Sequence, residues 1–427
     1  MKALSAEPGL SPVRRTLANG LAALVQRTAT HPAVTLAVAL PAGAICDPED
    51  RLGLATFASR VIDRGTVSRD SVEIAEMLDA RGVSLNAGVS RHLFVLNCSC
   101  LSEDAPALLD LLAEVVMTPV FPPNEVETRR AELITAIRQD DDNPASAASD
   151  AMSELLFPGH PYGRRQRGTV ASVQNITRQD LVEFHRQRFG PAGATVVVVG
   201  DIDPERAADL VERSFEGWRA SVAPPPDVPP PPTPGERRQA VIPMMDKAQA
   251  DIAYGVLGVR RQDPQYSAAL LMNNVLGQYG LGGRLGDSLR ERQGMAYYAY
   301  SSLDAELGAG ALTVRAGVAG ENVERALESI DAELTRMQRE GVTPGELTDA
   351  KRYLTGSMPR LLETNDGIAT FLLTVEHFGL GLDYDRRLPG LLEAVTLDEV
   401  NAAAATLLRP DRAAVAIAGP YRETRAA

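Results

Sequence analysis

Two hydrophobic rhythms alternate along this chain, and their order is repeated once. HPAVTLAVAL around Val34 and TVVVVG at Thr195–Gly200 read as apolar strands. Between them, Leu108, Leu111, Leu112, Val115 and Val116 recur at helical spacing. In the second half Val323, Ala326, Leu327, Ile330, Leu334 and Met337 do the same, and AVAIAG (Ala414–Gly419) closes the series as an apolar strand. Helix starts are marked chemically. Thr343-Pro344-x-Glu346 supplies an N-cap, a proline at the first helical position and a glutamate two later. Thr177 and Thr396 each precede an acidic residue by three positions.

The two halves align at a nearly constant offset of about 220 residues. Val34 falls against Ile252, Glu103 against Glu321, Glu125 against Glu346 and Gly200 against Gly419. A proline block, APPPDVPPPPTPGE (Ala223–Glu236), separates them and reads as a stiff, extended linker. The expected organisation is an N-terminal half over 1–222, a linker over 223–236 and a C-terminal half over 237–427. Strands that rejoin a sheet after a block of helices predict α+β halves, each a sheet with helices packed on it.

Composition narrows the function classes. The chain has 427 residues, 44% apolar and 23% charged, with a net charge of −13. An acidic balance argues against nucleic acid or an anionic membrane surface as partner. No run approaches the ~20 apolar residues of a membrane span, and MKALSAEPGLSPVRR lacks the apolar core of a signal peptide. A cytoplasmic location is expected, with a periplasmic one open if a leader has been removed. Cys46, Cys98 and Cys100 are expected to be reduced, packed thiols.

The chemistry concentrates between Leu281 and Ser302, LGGRLGDSLRERQGMAYYAYSS. A turn rich in glycine (Gly280, Gly282, Gly283) precedes a helix expected over about Arg284–Gln293. Gly294 is placed to end it, and MAYYAYSS reads as an aromatic strand. The reversal allows Arg290 and Tyr297 to point into one cleft. Arg offers a fixed fork of donors to a carbonyl or carboxylate, and Tyr can donate to a developing oxyanion. A strand slip of one residue would substitute Tyr298.

This stretch resembles the Arg/Tyr segment of the pitrilysin-type zinc metallopeptidases, which carry an inverted HxxEH motif and include mitochondrial processing peptidase. In that family an Arg and a Tyr in a pattern like R-x-K-x-G-L-x-Y bind substrate and assist the transition state. Arg290, Arg292, Gly294, Met295 and Tyr297 match it. The resemblance spans about Val13 to Gly419 and implies two homologous halves, each a mostly antiparallel sheet with helices packed on one face, forming a clam-like chamber. It also implies substrate contacts from Arg290, Tyr297, Tyr298, Gly282 and Gly283.

The family's zinc motif is degenerate. Its frame, G-L-A-H-F-L-E-H-M-x-F-x-G-T, survives here at Gly53, Leu54, Ala55, Phe57, Gly65 and Thr66. The two histidine positions hold Thr56 and Arg60, and the glutamate base position holds Ser59. The distal acidic ligand falls in AELITAI, where Thr135 and Ala136 stand. Zinc needs several N, S or O donors in one place. His31, His92, His160, His185 and His377 are scattered, and their spacing suggests no other metal site.

Other features read blandly. The glycines from Gly277 to Gly286 do not make a phosphate loop. Asp140-Asp141-Asp142 reads as a solvated helix end. HPYGRRQRGT (His160–Thr169) resembles a family stretch expected to serve the fold. Some members of the family divide their labour between an HxxEH subunit and an Arg/Tyr subunit. The resemblance therefore implies the second kind, inactive alone and binding no metal itself. Its partner would be a homologous HxxEH-containing subunit that carries the zinc, and its substrates would be unfolded peptides. The alternative is a structural or assembly protein resembling the core proteins of the respiratory cytochrome bc complex.

Overall fold

The computed structural model describes residues 9–278 and 282–422. The repeat in the sequence appears as two sheets that share a five-stranded order, to which the first adds one edge strand. In chain order the strands of the first are β1 (Val13–Thr16), β2 (Ala22–Arg27), β3 (Ala33–Leu40), β4 (Asn86–Val89), β5 (Phe94–Leu101) and β6 (Thr195–Gly200). Those of the second are β7 (Arg238–Pro243), β8 (Ala250–Leu257), β9 (Ala296–Leu303), β10 (Ala311–Val318) and β11 (Ala414–Gly419). The spatial orders are β1-β2-β6-β3-β5-β4 and β7-β11-β8-β10-β9. Among the described residues one pair in each sheet is parallel, β2 with β6 and β7 with β11, and the others are antiparallel. Both sheets are thus mostly antiparallel, and the α+β expectation holds. β6 and β11 are buried at every position because they lie inside their sheets, which is why they read as unbroken apolar runs.

The helix signals also take the predicted form. Thr177 with Asp180 and Thr396 with Glu399 close reciprocal capping boxes. Thr343 and Glu346 exchange the same contacts at the start of the helix Pro344–Leu361.

The chain forms two compact units, and each draws on both sequence halves. One contains residues up to 137, 165–227 and 358–387; the other contains 138–164, 228–357 and those from 388 onward. In the first unit the helix Asn365–His377 packs on β3 and β6. Its first residue, Asn365, donates to the Ala33 carbonyl at 3.0 Å and accepts from Thr28 Oγ1 at 2.6 Å.

In the second unit the helices Tyr266–Asn273, Val323–Glu340 and Leu397–Leu407 cover one sheet face around Ile252, Tyr254, Val256 and Val314. The opposite face receives the helix Pro144–Leu156 over Ala253, Ala414, Ala416 and Ala418. Small residues allow that approach: a Cβ on Gly255 would lie 2.3 Å from the Met152 sulfur. His160 and Tyr162 extend this packing. His160 is buried and meets the Pro229 carbonyl through Nε2 at 2.9 Å, and the Tyr162 hydroxyl accepts from the Gly308 amide at 2.9 Å. His160 is therefore a structural residue that fastens the proline-rich segment to this unit.

Candidate functional site

The second unit presents Arg290 and Tyr297 on the two arms of one reversal. The expected helix over Arg284–Gln293 is present but wider than an α-helix. After one α turn at Arg284–Gly286, residues Asp287–Arg292 adopt π geometry. A second π stretch, Asn274–Gln278, precedes the glycine turn. Single π turns concentrate at functional sites because each re-aims the side chains around it. Gly294 ends the helix in the left-handed region at φ 61°. The Gly294 amide donates to the Arg290 carbonyl at 3.0 Å and the Met295 amide to the Leu289 carbonyl at 3.1 Å. Two backbone bonds therefore hold the segment that carries Arg290, and its helix packs against β9.

Tyr297 follows at the start of β9, an edge strand. Gly317 pairs with Tyr298 and Val318 with Ala296, so the register breaks at Tyr297. Such a bulge re-aims a side chain out of the alternating pattern. Tyr297 is 66% exposed. Among the described residues neither the Tyr297 hydroxyl nor the half-buried Arg290 guanidinium has a hydrogen-bond or ion-pair partner.

Tyr298 is committed elsewhere. Its hydroxyl donates to Asp251, a carboxylate only 2% exposed on β8. Gln249 donates to the same carboxylate at 3.2 Å. The Tyr298 ring lies over Gly317, where an added Cβ would meet Cε1 at 2.6 Å. Burial, and then the bond to Asp251, push the Tyr298 phenol well above the ordinary tyrosine range. The structure thus separates two adjacent phenols that the sequence leaves ambiguous: Tyr298 serves as an internal brace and Tyr297 is free to meet a ligand. Asp251 went unnoticed in the sequence, where its one signal is a lone acid inside an apolar strand.

The neighbouring arginines are paired. Arg284 holds Glu346 through two bonds of 2.7 and 2.8 Å and also donates to the Gly341 carbonyl at 3.0 Å. Arg292 pairs with Asp287 at 2.8 Å and with Glu333 at 3.4 Å. Gly283 is buried; its Cβ would fall 2.7 Å from Gly277 Cα, so two glycines pack backbone to backbone. Gly282 is exposed and lines a cleft of about 400 Å³. Gly280 and Leu281 lie outside the described residues.

In the first unit the frame of the metal motif folds as a helix, Leu54–Val61. Gly53 precedes it at φ 90°, and the Gly53 and Ala55 amides both donate to the Asp47 carboxylate at 2.8 Å. The chemistry has turned inward. Thr56 Oγ1 donates to the Gln166 carbonyl and Ser59 Oγ to the Thr56 carbonyl, both at 2.7 Å. Arg60 is exposed, and Thr135 Oγ1 donates to the Ala131 carbonyl at 2.8 Å. Three hydroxyls spent on backbone carbonyls and a cation make no zinc site. Among the described residues no three His, Cys, Asp or Glu side chains are grouped to hold a metal ion. The remaining features behave as structure. His185 Nε2 meets the Val116 carbonyl at 2.8 Å, and burial lowers its pKa. Asp142 pairs with Lys247 at 2.7 Å. The three cysteines are buried and unbridged.

Comparison with known proteins identifies the family. Residues 22–170 match the family described as insulinase, peptidase family M16, and residues 175–354 match the peptidase M16 inactive domain. An uncharacterized zinc protease of Mycobacterium tuberculosis is 30% identical over 97% of this chain and 95% of its own length. A Helicobacter pylori protein named a non-peptidase homolog is 24% identical over 85% of this chain and 84% of its own. The crystal structure of a peptidase M16 inactive domain from Pseudomonas fluorescens superimposes with a TM-score of 0.90 at 25% identity, covering 97% of this chain and 99% of that one.

Proposed function

The chain belongs to peptidase family M16, and within it we propose that this member is a non-catalytic, substrate-binding subunit of a heterodimeric zinc peptidase. The carrying observation is a contrast between its two units. The hydroxyls at the metal positions are tied to backbone carbonyls, whereas Arg290 and Tyr297 are held on ordered backbone with their polar ends unspent. Their neighbours Arg284, Arg292 and Tyr298 are all engaged within the chain, so among the described residues Arg290 and Tyr297 are the groups of this reversal left available to a ligand.

The metal chemistry belongs to a homologous HxxEH-bearing partner. This chain supplies position and donors. The Arg290 fork holds a backbone carbonyl of an extended peptide. Tyr297 donates its hydroxyl proton in a hydrogen bond to the carbonyl oxygen that gains charge as the peptide bond is attacked. Loss of one such donor costs about 10²–10³ in rate. The bulge sets the direction of that phenol, and the Tyr298–Asp251 bond beside it holds the strand in register.

The second reading is a structural or assembly protein, like the core proteins of the respiratory cytochrome bc complex. The relative named a non-peptidase homolog favours it. A peptidase assay separates the two, run on the chain alone and mixed with the HxxEH homologue from the same source, with zinc measured in each. The proposal expects no hydrolysis and no stoichiometric zinc from the chain alone, and hydrolysis from the mixture. A mixture no more active than the HxxEH protein by itself favours the scaffold.

A further inference from the structure

We infer that Asp251 and Gly317 are positioning residues of the candidate site, which seat the Tyr298 side chain across three strands and thereby fix the direction of Tyr297. The inference deepens the proposed function and rests on it for the role of Tyr297.

The register of three strands carries the first step. Gly317 on β10 pairs with Asp251 on β8 and with Tyr298 on β9, so these residues form one row across the sheet. In the next row Val318 pairs with Ala250 and with Ala296. The pairing of β10 with β8 runs on without a break, so the extra residue of the bulge lies in β9, and it is Tyr297. β9 is an edge strand, bonded to another strand on one side only. Backbone pairing alone therefore does little to stop its bulged end from rolling about the strand axis. A phenol hydroxyl stands about 6.5 Å from its own Cα, so a roll of about 10° carries it about 1 Å, and a misplacement of that size can cost about 10² in rate.

The side chains of the row supply the missing restraint. The Tyr298 ring passes over β10 at Gly317, and its hydroxyl donates to Asp251 on the strand beyond. Gly317 leaves that path open: an added Cβ would lie 2.6 Å from Tyr298 Cε1 and 3.0 Å from Gln249 Nε2. Asp251 is 2% exposed and also accepts from the Gln249 amide at 3.2 Å, so its carboxylate is itself held in place. β9 is thus tied to β8 as well as to β10, at the residue next to Tyr297. Because the two tyrosines are consecutive, anchoring Tyr298 fixes the backbone from which Tyr297 leaves the strand. All of these residues belong to one unit of the chain.

The test has two arms. In the first, the full chain alone is labelled with 15N-tyrosine, which gives 10 amide signals. The Tyr297 signal is identified by its loss in Tyr297→Phe, and its order is read by relaxation. Tyr298→Phe and Asp251→Ala should each loosen the Tyr297 amide and leave that of Tyr254, a buried tyrosine on β8, unchanged. Asp251→Asn keeps an acceptor for the phenol, and Gln249 can turn its amide to suit, so it should retain the order that Asp251→Ala loses. In the second arm, hydrolysis is measured in the mixture with the HxxEH homologue. Tyr298→Phe should lower kcat with KM unchanged, and should cost nothing further on a Tyr297→Phe background. A general loss of stability would lower both backgrounds alike. A Tyr297 amide as ordered in Tyr298→Phe as in wild type overturns the inference, as does an equal loss of kcat on the two backgrounds. A wild-type mixture without activity counts against the proposed function alone, and the relaxation arm then decides the positioning role.

Discussion

Replacing Arg284 by Met removes one partner of a pair that is nearly enclosed, and its cost can be worked from the contacts. Arg284 is 11% exposed and Glu346 31%. Burial pushes the Glu346 carboxyl up, but the Arg284 hydrogen bonds, the Thr343 amide and the Arg284 charge outweigh it and hold the group at about 2. Against the ordinary 4.5, at 1.36 kcal/mol per unit, this corresponds to a ceiling of about 3.4 kcal/mol. The carboxylate keeps some contact with water, so a discounted value of about 2 kcal/mol is expected at pH 7. For a unit of this size that lowers Tm by about 4–8 °C. The sign with pH follows from the depressed carboxyl. The contribution is complete above the unfolded value of 4.5 and disappears as pH falls through the folded value of about 2. Differential scanning calorimetry of wild type and Arg284→Met between pH 7 and pH 3 should therefore show a gap that is constant down to about pH 5 and then narrows. Arg292→Met is the control. Its side chain is 55% exposed in its ion pairs, and surface pairs contribute about 0–1 kcal/mol. Equal stabilities of wild type and Arg284→Met at pH 7, or a gap that widens in acid, would refute the reasoning.

Three further substitutions and a chemical probe address the rest of the account. Tyr298→Phe should destabilise by about 1–3 kcal/mol in urea unfolding, because it strips the buried Asp251 of a donor. Because the folded phenol titrates above its unfolded value, wild-type stability should also fall as pH rises past the ordinary tyrosine range, and by less in Tyr298→Phe. Gly294→Ala should cost about 1 kcal/mol through its left-handed backbone alone, since nothing lies within 4 Å of an added Cβ, and Gly294→Asn should cost less. Burial pushes the Cys46, Cys98 and Cys100 thiols up to about 11, 12 and 11. An aromatic disulfide reagent at pH 7.4 should release no colour from the folded chain, and should titrate all three cysteines after unfolding.

Much of this molecule was legible in its sequence, for identifiable reasons. The apolar runs Thr195–Gly200 and Ala414–Gly419 coincide with β6 and β11 because interior strands bury both faces and leave no polar position to blur the signal. The threonine-acid pairs mark helix starts because capping is a local hydrogen-bond exchange. The degenerate metal positions were visible because ligation depends on residue type. Three features were not legible. The helices Pro144–Leu156 and Asn365–His377 join sheets built mainly from the other half of the sequence, and amphipathic spacing shows that a face is buried without showing against what. The π geometry over Asp287–Arg292 changes the pitch of a short helix without any special residue. The bulge at Tyr297 is hidden among three aromatic residues, Tyr297, Tyr298 and Tyr300, where alternation gives no register. Only the partner of each hydroxyl, Asp251 for one and none among the described residues for the other, tells the two adjacent tyrosines apart.

The most direct test of the central claim is steady-state peptide hydrolysis by this chain mixed with the HxxEH homologue from the same source, comparing wild type with Arg290→Ala and Tyr297→Phe. Association of the two chains is measured in parallel by analytical ultracentrifugation. The account predicts that each substitution lowers kcat/KM by about 10²–10³ while the chains associate as before. Undiminished hydrolysis by both variants would contradict it, and would leave Arg290 and Tyr297 as remnants on a scaffold.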